Sequence, residues 1–211
     1  MKLQLALDDV TLEQGIALVE QVLEYVDIVE IGSPFIIEYG MAPVREFSAR
    51  FPELEVLADV KIMDAGEYKA AQTFQAGAHY CTVLGVTDTK TVEGCLKAAA
   101  EYGRQSFVDM ICLSDLEARI PELEAVGVTG LGVHVGVDMQ AQGRTPLEEL
   151  RVMLANSKKS QISVAGGINA ATVSDYISLG ADIVIVGGGI THAEDPVSAA
   201  REIHAAIKAA V

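Results

Sequence analysis

The stretch GADIVIVGG, residues 180–188, sets the terms for the whole chain. A glycine ends a helix, a short turn follows, and Ile183 to Val186 then run apolar at every position. A strand with one wet face would alternate polar and apolar residues, so an unbroken apolar run reads as a strand covered on both faces. The same design recurs in GAHYCTVLG (77–85) and GVTGLGVHVG (127–136).

Moving outward from these three, further strand-like runs appear at LQLAL (3–7), DIVEI (27–31), EVLADV (55–60), QSFVDM (105–110) and QISVAG (161–166). With HYCTVL (79–84), GLGVHV (130–135) and DIVIVG (182–187) they make eight. Helical signals fill the gaps. Thr11 and Gln14 form a capping-box pair ahead of Ile16, Val19 and Leu23. Thr145, Pro146 and Glu148 give a second start signal, and Asp195-Pro196 opens a last helix whose stripe is Val197, Ala200, Ile203 and Ile207. Gly77, Gly103, Gly127 and Gly180 stand where helices should stop. Strands starting roughly every 25 residues, each followed by a helix, predict a single (β/α)₈ TIM barrel over residues 1–211. An open doubly wound sheet is the competing architecture, but it needs no eight even units, and no GxGxxG turn follows the first strand.

The chain has 211 residues, half of them hydrophobic, and a formal net charge of −15. Such a surface repels nucleic acid and anionic membranes, yet a few backbone N–H groups still suffice to hold one small phosphate. No apolar run approaches the roughly 20 residues that span a bilayer. Met1-Lys2 runs straight into the first apolar segment, which does not read as a signal peptide. Cys81, Cys95 and Cys112 match neither a zinc pattern nor a CxxC pair and read as buried, reduced thiols, which suits a cytoplasmic protein.

A parallel barrel carries its active site at the carboxyl ends of its strands. The polar residues gather there: Asp8 after the first strand, Glu30 at the second, Asp59 and Lys61 at the third, Asp109 at the fifth and His134 at the sixth. In VLADVKIMDAG (56–66), strand alternation points Asp59 and Lys61 the same way, into the mouth, with Asp64 in the loop beyond. A structural ion-pair network at the rim would use the same residues. Glu30 and Asp59, on neighbouring strands, could share one hard divalent cation, Mg²⁺ before Zn²⁺, or be neutralised by Lys61. Gly166-Gly167 and Gly187-Gly188, at the ends of the last two strands, suit a phosphate held by backbone N–H groups, or serve as tight turns alone. His134 faces this site as a candidate general base or as a core histidine. His79 begins a strand at the opposite end and reads as structural, while His192 and His204 carry no signal. Lys61 between two acids should stay protonated, which argues against a Schiff-base role.

Asp59-x-Lys61-x-x-Asp64 resembles the DxKxxD motif of the orotidine 5′-phosphate decarboxylase superfamily. LQLALD, VEIGSPFI, LADVKIMDAG, VDMI, GVHVGVDMQAQG, AGGI and VIVGGGIT together resemble its sugar-phosphate branch, the 3-hexulose-6-phosphate synthases, over nearly the whole chain. The resemblance implies an Mg²⁺-dependent aldol condensation of formaldehyde with D-ribulose 5-phosphate through a 1,2-enediolate. It implies Mg²⁺ on Glu30 and Asp59, Lys61 at the enediolate oxygen, His134 as base with Asp109 positioning it, and Asp8 on a substrate hydroxyl. It also implies a homodimer in which Asp64 reaches the neighbouring subunit's site. The sister 3-keto-L-gulonate-6-phosphate decarboxylases are the alternative. They are expected to carry Glu at position 109 and Arg at position 137, where this chain has Asp109 and Val137.

Overall fold

The structure is a computed structural model that describes residues 1–210; Val211, the last residue of the expected domain, lies outside the described residues. Its eight strands are Lys2–Leu7 (β1), Ile28–Ile31 (β2), Glu55–Ile62 (β3), Tyr80–Leu84 (β4), Gln105–Asp109 (β5), Gly130–His134 (β6), Gln161–Ala165 (β7) and Ile183–Val186 (β8). They pair in parallel in chain order, and β8 returns to β1 through Lys2↔Ile183 to Leu5↔Val186, so the sheet closes into the expected barrel.

The helices are Leu12–Val22 (α1), Ser33–Tyr39 (α2), Ala42–Arg50 (α3), Gly66–Gln75 (α4), Thr89–Tyr102 (α5), Leu116–Ala125 (α6), Val137–Gln140 (α7), Leu147–Asn156 (α8), Val173–Leu179 (α9), Gly188–Thr191 (α10) and Pro196–Ala209 (α11). One helix per gap was expected, but β2, β6 and β8 are each followed by two. After β2 the break comes at Gly40, whose φ of +62° ends α2 while its N–H donates to the Ile36 carbonyl.

The capping box at α1 forms as read: Thr11 Oγ1 accepts from the Gln14 N–H at 3.2 Å, and Gln14 Oε1 accepts from the Thr11 N–H at 2.9 Å. Asp195 likewise caps α11 through the Ser198 N–H. The start signal at 145–148 does precede a helix, α8 from Leu147, but its expected cap does not form. Pro146 stands before α8 rather than in its first turn, no side chain caps it, and Glu148 pairs forward with Arg151 at 2.5 Å instead of reaching back. Two cysteines are buried, and burial pushes the Cys81 and Cys95 thiols up to about 12. Cys112 departs from expectation: it is exposed in the loop after β5, because the chain leaves the barrel at Asp109.

Two apolar layers result from strand alternation. Leu3, Leu5, Leu7, Val29, Ile31, Val56, Ala58 and Val83 face the helices in one large core. Ile28, Leu57, Phe107 and Ile183, with Tyr80 and Ile185 against them, fill the barrel itself. Each such side chain, fully buried, contributes about 1.5–3 kcal/mol. This plug excludes water from below, and one pleat above it on four of these strands stand Glu30, Asp59, Thr82 and Asp109, all buried.

Candidate active site

The site begins with an irregularity in β3. Its pairing with β4 runs Leu57↔Tyr80 and Ala58↔Cys81, then slips, resuming at Ile62↔Val83. Within the slipped segment Lys61 takes φ +43°, a left-handed conformation that costs a residue with a Cβ about 1–2 kcal/mol. Simple alternation brought Lys61 to the correct side for an incomplete reason. A bulge turns it there, and bulges of this kind re-aim side chains beside active sites.

The Lys61 ammonium pairs with Asp59 Oδ2 and lies 3.5 Å from Asp109 Oδ2. Asp109 Oδ2 also meets His134 Nδ1 at 3.0 Å, while its Oδ1 accepts from the Ile111 N–H at 2.9 Å. Asp59 Oδ2 accepts from the Ser33 hydroxyl at 2.7 Å, and its Oδ1 from Thr82 at the same distance. Asp8 lies against Gly32, where any Cβ would overlap its carboxylate. Asp8, Glu30, Asp59, Lys61, Asp109 and His134 thus converge on one mouth. Asp64 does not join them within this chain: its side chain is 79% exposed and pairs with Lys69.

Burial opposes the charge on Lys61, but Asp59 and Asp109 outweigh it and move its pKa up, so the amine stays an ammonium. Burial also lowers His134, yet the hydrogen bond and charge of Asp109 carry it above its ordinary value. Asp109 is held below the usual carboxylate range because His134, Lys61 and the Ile111 N–H offset its burial. Asp8 is pushed up by burial and by Asp59. Glu30 moves furthest. Burial first, then the neighbouring charges of Asp59 and Asp8, push it up to about 8, with only the Gln4 hydrogen bond (2.6 Å) and Lys61 opposing.

That displacement tests whether a cation suits the site. Glu30 Oε2 is held by Gln4, the side-chain donor found on this carboxylate among the described residues. Four acids, Asp8, Glu30, Asp59 and Asp109, crowd one ammonium, and an added hard cation would relieve the excess of negative charge; oxygen ligands favour Mg²⁺. The residues fit. The ligand set is small, for among the described residues no group of three or more His, Cys, Asp or Glu is placed to hold a metal. An ion on Glu30 and Asp59 would complete its shell with water or substrate oxygens.

The two glycine loops lie side by side. Gly166 and Gly167 take φ +129° and +67°, and a Cβ on Gly189 would strike the Ile168 carbonyl. Among the described residues no acceptor is found for the N–H groups of Gly166, Gly167, Gly187, Gly188 and Gly189. Backbone N–H groups without a backbone acceptor, on two touching glycine loops, are the kind of donors that could hold an anion. A cleft of about 740 Å³ opens from His134 between the loops after β5 and β6, past Met110, Leu116 and Met139. His192, read as silent, lies at the same mouth with Nε2 2.7 Å from Asp9. His79, read as structural, accepts the Val56 N–H through Nδ1. Gln4, Ser33 and Thr82 were missed.

Residues 1–203 match the Orotidine 5′-phosphate decarboxylase / HUMPS family. The chain belongs to this family. Its relatives include the 3-hexulose-6-phosphate synthase of Staphylococcus epidermidis, 42% identical over 208 residues and 99% of both chains. The crystal structure of 3-hexulose-6-phosphate synthase from Salmonella typhimurium superposes with a TM-score of 0.99 at 48% identity, covering all of both chains. The 3-keto-L-gulonate-6-phosphate decarboxylase of Vibrio cholerae, at 23% identity and a TM-score of 0.87 over 100% of this chain and 98% of that one, shares the fold. Both of the named relatives above 40% identity over the full length are hexulose-phosphate synthases.

Proposed function

We propose that this family member is a 3-hexulose-6-phosphate synthase, condensing formaldehyde with D-ribulose 5-phosphate. The observation that carries the reading is the contact chain Asp59–Lys61–Asp109–His134 at one mouth, beside a Glu30 held near pKa 8. The five glycine N–H groups would seat the substrate phosphate. His134 has Nδ1 engaged by Asp109, which leaves Nε2 to take the proton from C1. The Lys61 ammonium, fixed between two carboxylates, faces the oxygen on which enediolate charge grows and needs no reorganisation to stabilise it. Asp8 accepts from a substrate hydroxyl. The C1 carbanion then adds to formaldehyde, and the new alkoxide recovers a proton. When bound on Glu30 and Asp59, Mg²⁺ supplies Lewis-acid polarisation of the ketose oxygens.

Asp109 and Val137 stand where the decarboxylase pattern expects Glu and Arg, which favours the synthase reading; 3-keto-L-gulonate 6-phosphate should release no CO₂. We further propose a cytoplasmic homodimer. Three free thiols suit a reducing compartment, and no helix among the described residues is long and apolar enough to cross a membrane. Ile37, Met63, Tyr68 and Val86 are exposed apolar side chains, and Met63 and Tyr68 flank Asp64 in the chain; exposed apolar groups of this kind suit an interface. The deciding experiment mixes protein, Mg²⁺, D-ribulose 5-phosphate and formaldehyde and follows formaldehyde loss. Lys61→Ala and Glu30→Gln should each abolish it, and a variant near wild-type rate would overturn the mechanism.

A further inference from the structure

Thr82 lies across from the bulge in β3, at the one place where the ladder between β3 and β4 fails. Ala58 still pairs with Cys81 and Ile62 with Val83, so Thr82 is the β4 residue left opposite the displaced segment. Its hydroxyl replaces the missing ladder contacts. Oγ1 accepts the Lys61 backbone N–H at 2.9 Å and donates its own hydrogen to Asp59 Oδ1 at 2.7 Å. The direction is unambiguous, because a backbone N–H only donates; the hydroxyl must accept there and is free to donate to the carboxylate. Ser33 and Lys61 hold the other oxygen of Asp59.

One buried hydroxyl therefore ties two functional groups together. It satisfies the N–H of a residue in a left-handed conformation, and it fixes the plane of the carboxylate. Without it, Lys61 loses the bond that holds φ +43° and can relax toward an extended backbone, which would swing its ammonium away from Asp59 and Asp109. Asp59 loses one of its fixed donors at the same moment. Neither Cys81 nor Val83 can substitute, since both face the outer core.

We propose that Thr82 is a positioning residue whose hydroxyl aims both the Asp59 carboxylate and the Lys61 ammonium. This rests on the proposed reading of Asp59 as a cation ligand and Lys61 as the oxyanion partner. In this proposal Thr82 acts through Asp59 and Lys61 and not on substrate or cation directly. Its loss should therefore appear in the cation affinity and the turnover number, not in the seating of the phosphate at the loops after β7 and β8.

The test compares wild type with Thr82→Val, which keeps the shape and removes the hydroxyl, and with Thr82→Ser, which keeps the hydroxyl and removes a methyl. Mn²⁺ binding to the substrate-free protein is measured by calorimetry, and kcat and KM by formaldehyde loss. Thr82→Val should weaken Mn²⁺ binding about 10-fold and lower kcat on the order of 10–100-fold, the range expected for outer-shell partners. Its KM for ribulose 5-phosphate should stay within about twofold, as the anion seat is untouched. Thr82→Ser should recover most of both losses. A Val variant that matches wild type, or a Ser variant as impaired as Val, overturns the proposal. A wild type that binds Mn²⁺ but consumes no formaldehyde overturns the functional reading alone, and the Mn²⁺ comparison still decides Thr82.

Discussion

His134 Nδ1 stands 3.0 Å from Asp109 Oδ2, and that same oxygen lies 3.5 Å from the Lys61 ammonium. One buried carboxylate thus serves two partners that repel each other when both are charged. Lys61 lowers the His134 pKa, while Asp109 raises it and, with its hydrogen bond, prevails over burial. Asp109 stays ionised throughout, since both partners favour its charged form.

A pH profile reads this pair directly. As a base, His134 must be neutral, so kcat/KM should fall as pH drops through a midpoint above 6.5. In Asp109→Asn the charge that raised it is gone and burial dominates, so the midpoint should move downward while kcat falls. The same shift makes a stability contribution that is fully present below pH 6.5 and fades as pH rises through the folded value. An unmoved acid limb in the Asn variant would remove His134 from the base role.

Much of this site follows a rule visible in the chain. Glu30, Asp59 and Asp109 each come two residues after an apolar residue that fills the barrel, Ile28, Leu57 and Phe107. An acid at such a place is costly to bury, so its presence carries information. Thr82 obeys the same rule after Tyr80, but threonine is also a common strand former, and the position passed as ordinary filler. Ser33, the first residue of α2, drew no reading of its own. The bulge at Lys61 was illegible because nothing in DVKI marks a left-handed lysine; its cause is a hydroxyl on another strand. The single-turn helices α7 and α10 are too short for a periodic pattern to register.

Glu30 gives a prediction about proton release. With its pKa near 8 it is mostly protonated at neutral pH, and a cation that takes its carboxylate must displace that proton. Mg²⁺ or Mn²⁺ binding at pH 7 should release about one proton per ion, and at pH 9 about a tenth of that. Affinity should rise about tenfold per pH unit until the carboxyl ionises by itself. Calorimetry in buffers of different ionisation enthalpy measures the release. A count near zero at both pH values, with unchanged affinity in Glu30→Gln, would mean that Glu30 is no ligand.

The opposite end of the barrel offers a stability prediction. Glu124 Oε1 accepts from the Ser157 and Ser160 hydroxyls and from the N–H groups of Lys158, Lys159 and Ser160, all within 3.1 Å. Burial opposes its charge, but these donors hold its pKa down to about 2. Its contribution is therefore present above pH 4.5 and is lost only as pH falls through about 2. Glu124→Gln should cost about 1–3 kcal/mol, lowering Tm by roughly 2–12 °C, because the turn before β7 loses its charged acceptor. Formaldehyde consumption per folded molecule should not change, since this face serves stability.

Asp64 gives the sharpest test of the proposed dimer. Its carboxylate points outward and pairs with Lys69, away from Lys61. If it completes the partner's site, Lys61→Ala and Asp64→Ala should each be inactive alone. A mixed dimer then has one site with both lesions and one with neither. Random reassociation makes half the dimers mixed, so an equal mixture should recover about a quarter of wild-type activity after dissociation and reassembly. Tyr68→Glu, at an exposed aromatic four residues after Asp64, should shift the protein toward monomer in sedimentation and lower activity in parallel. Activity that never returns on mixing, or a monomer that works at full rate, would mean that each barrel is complete in itself and that Asp64 serves only its pair with Lys69.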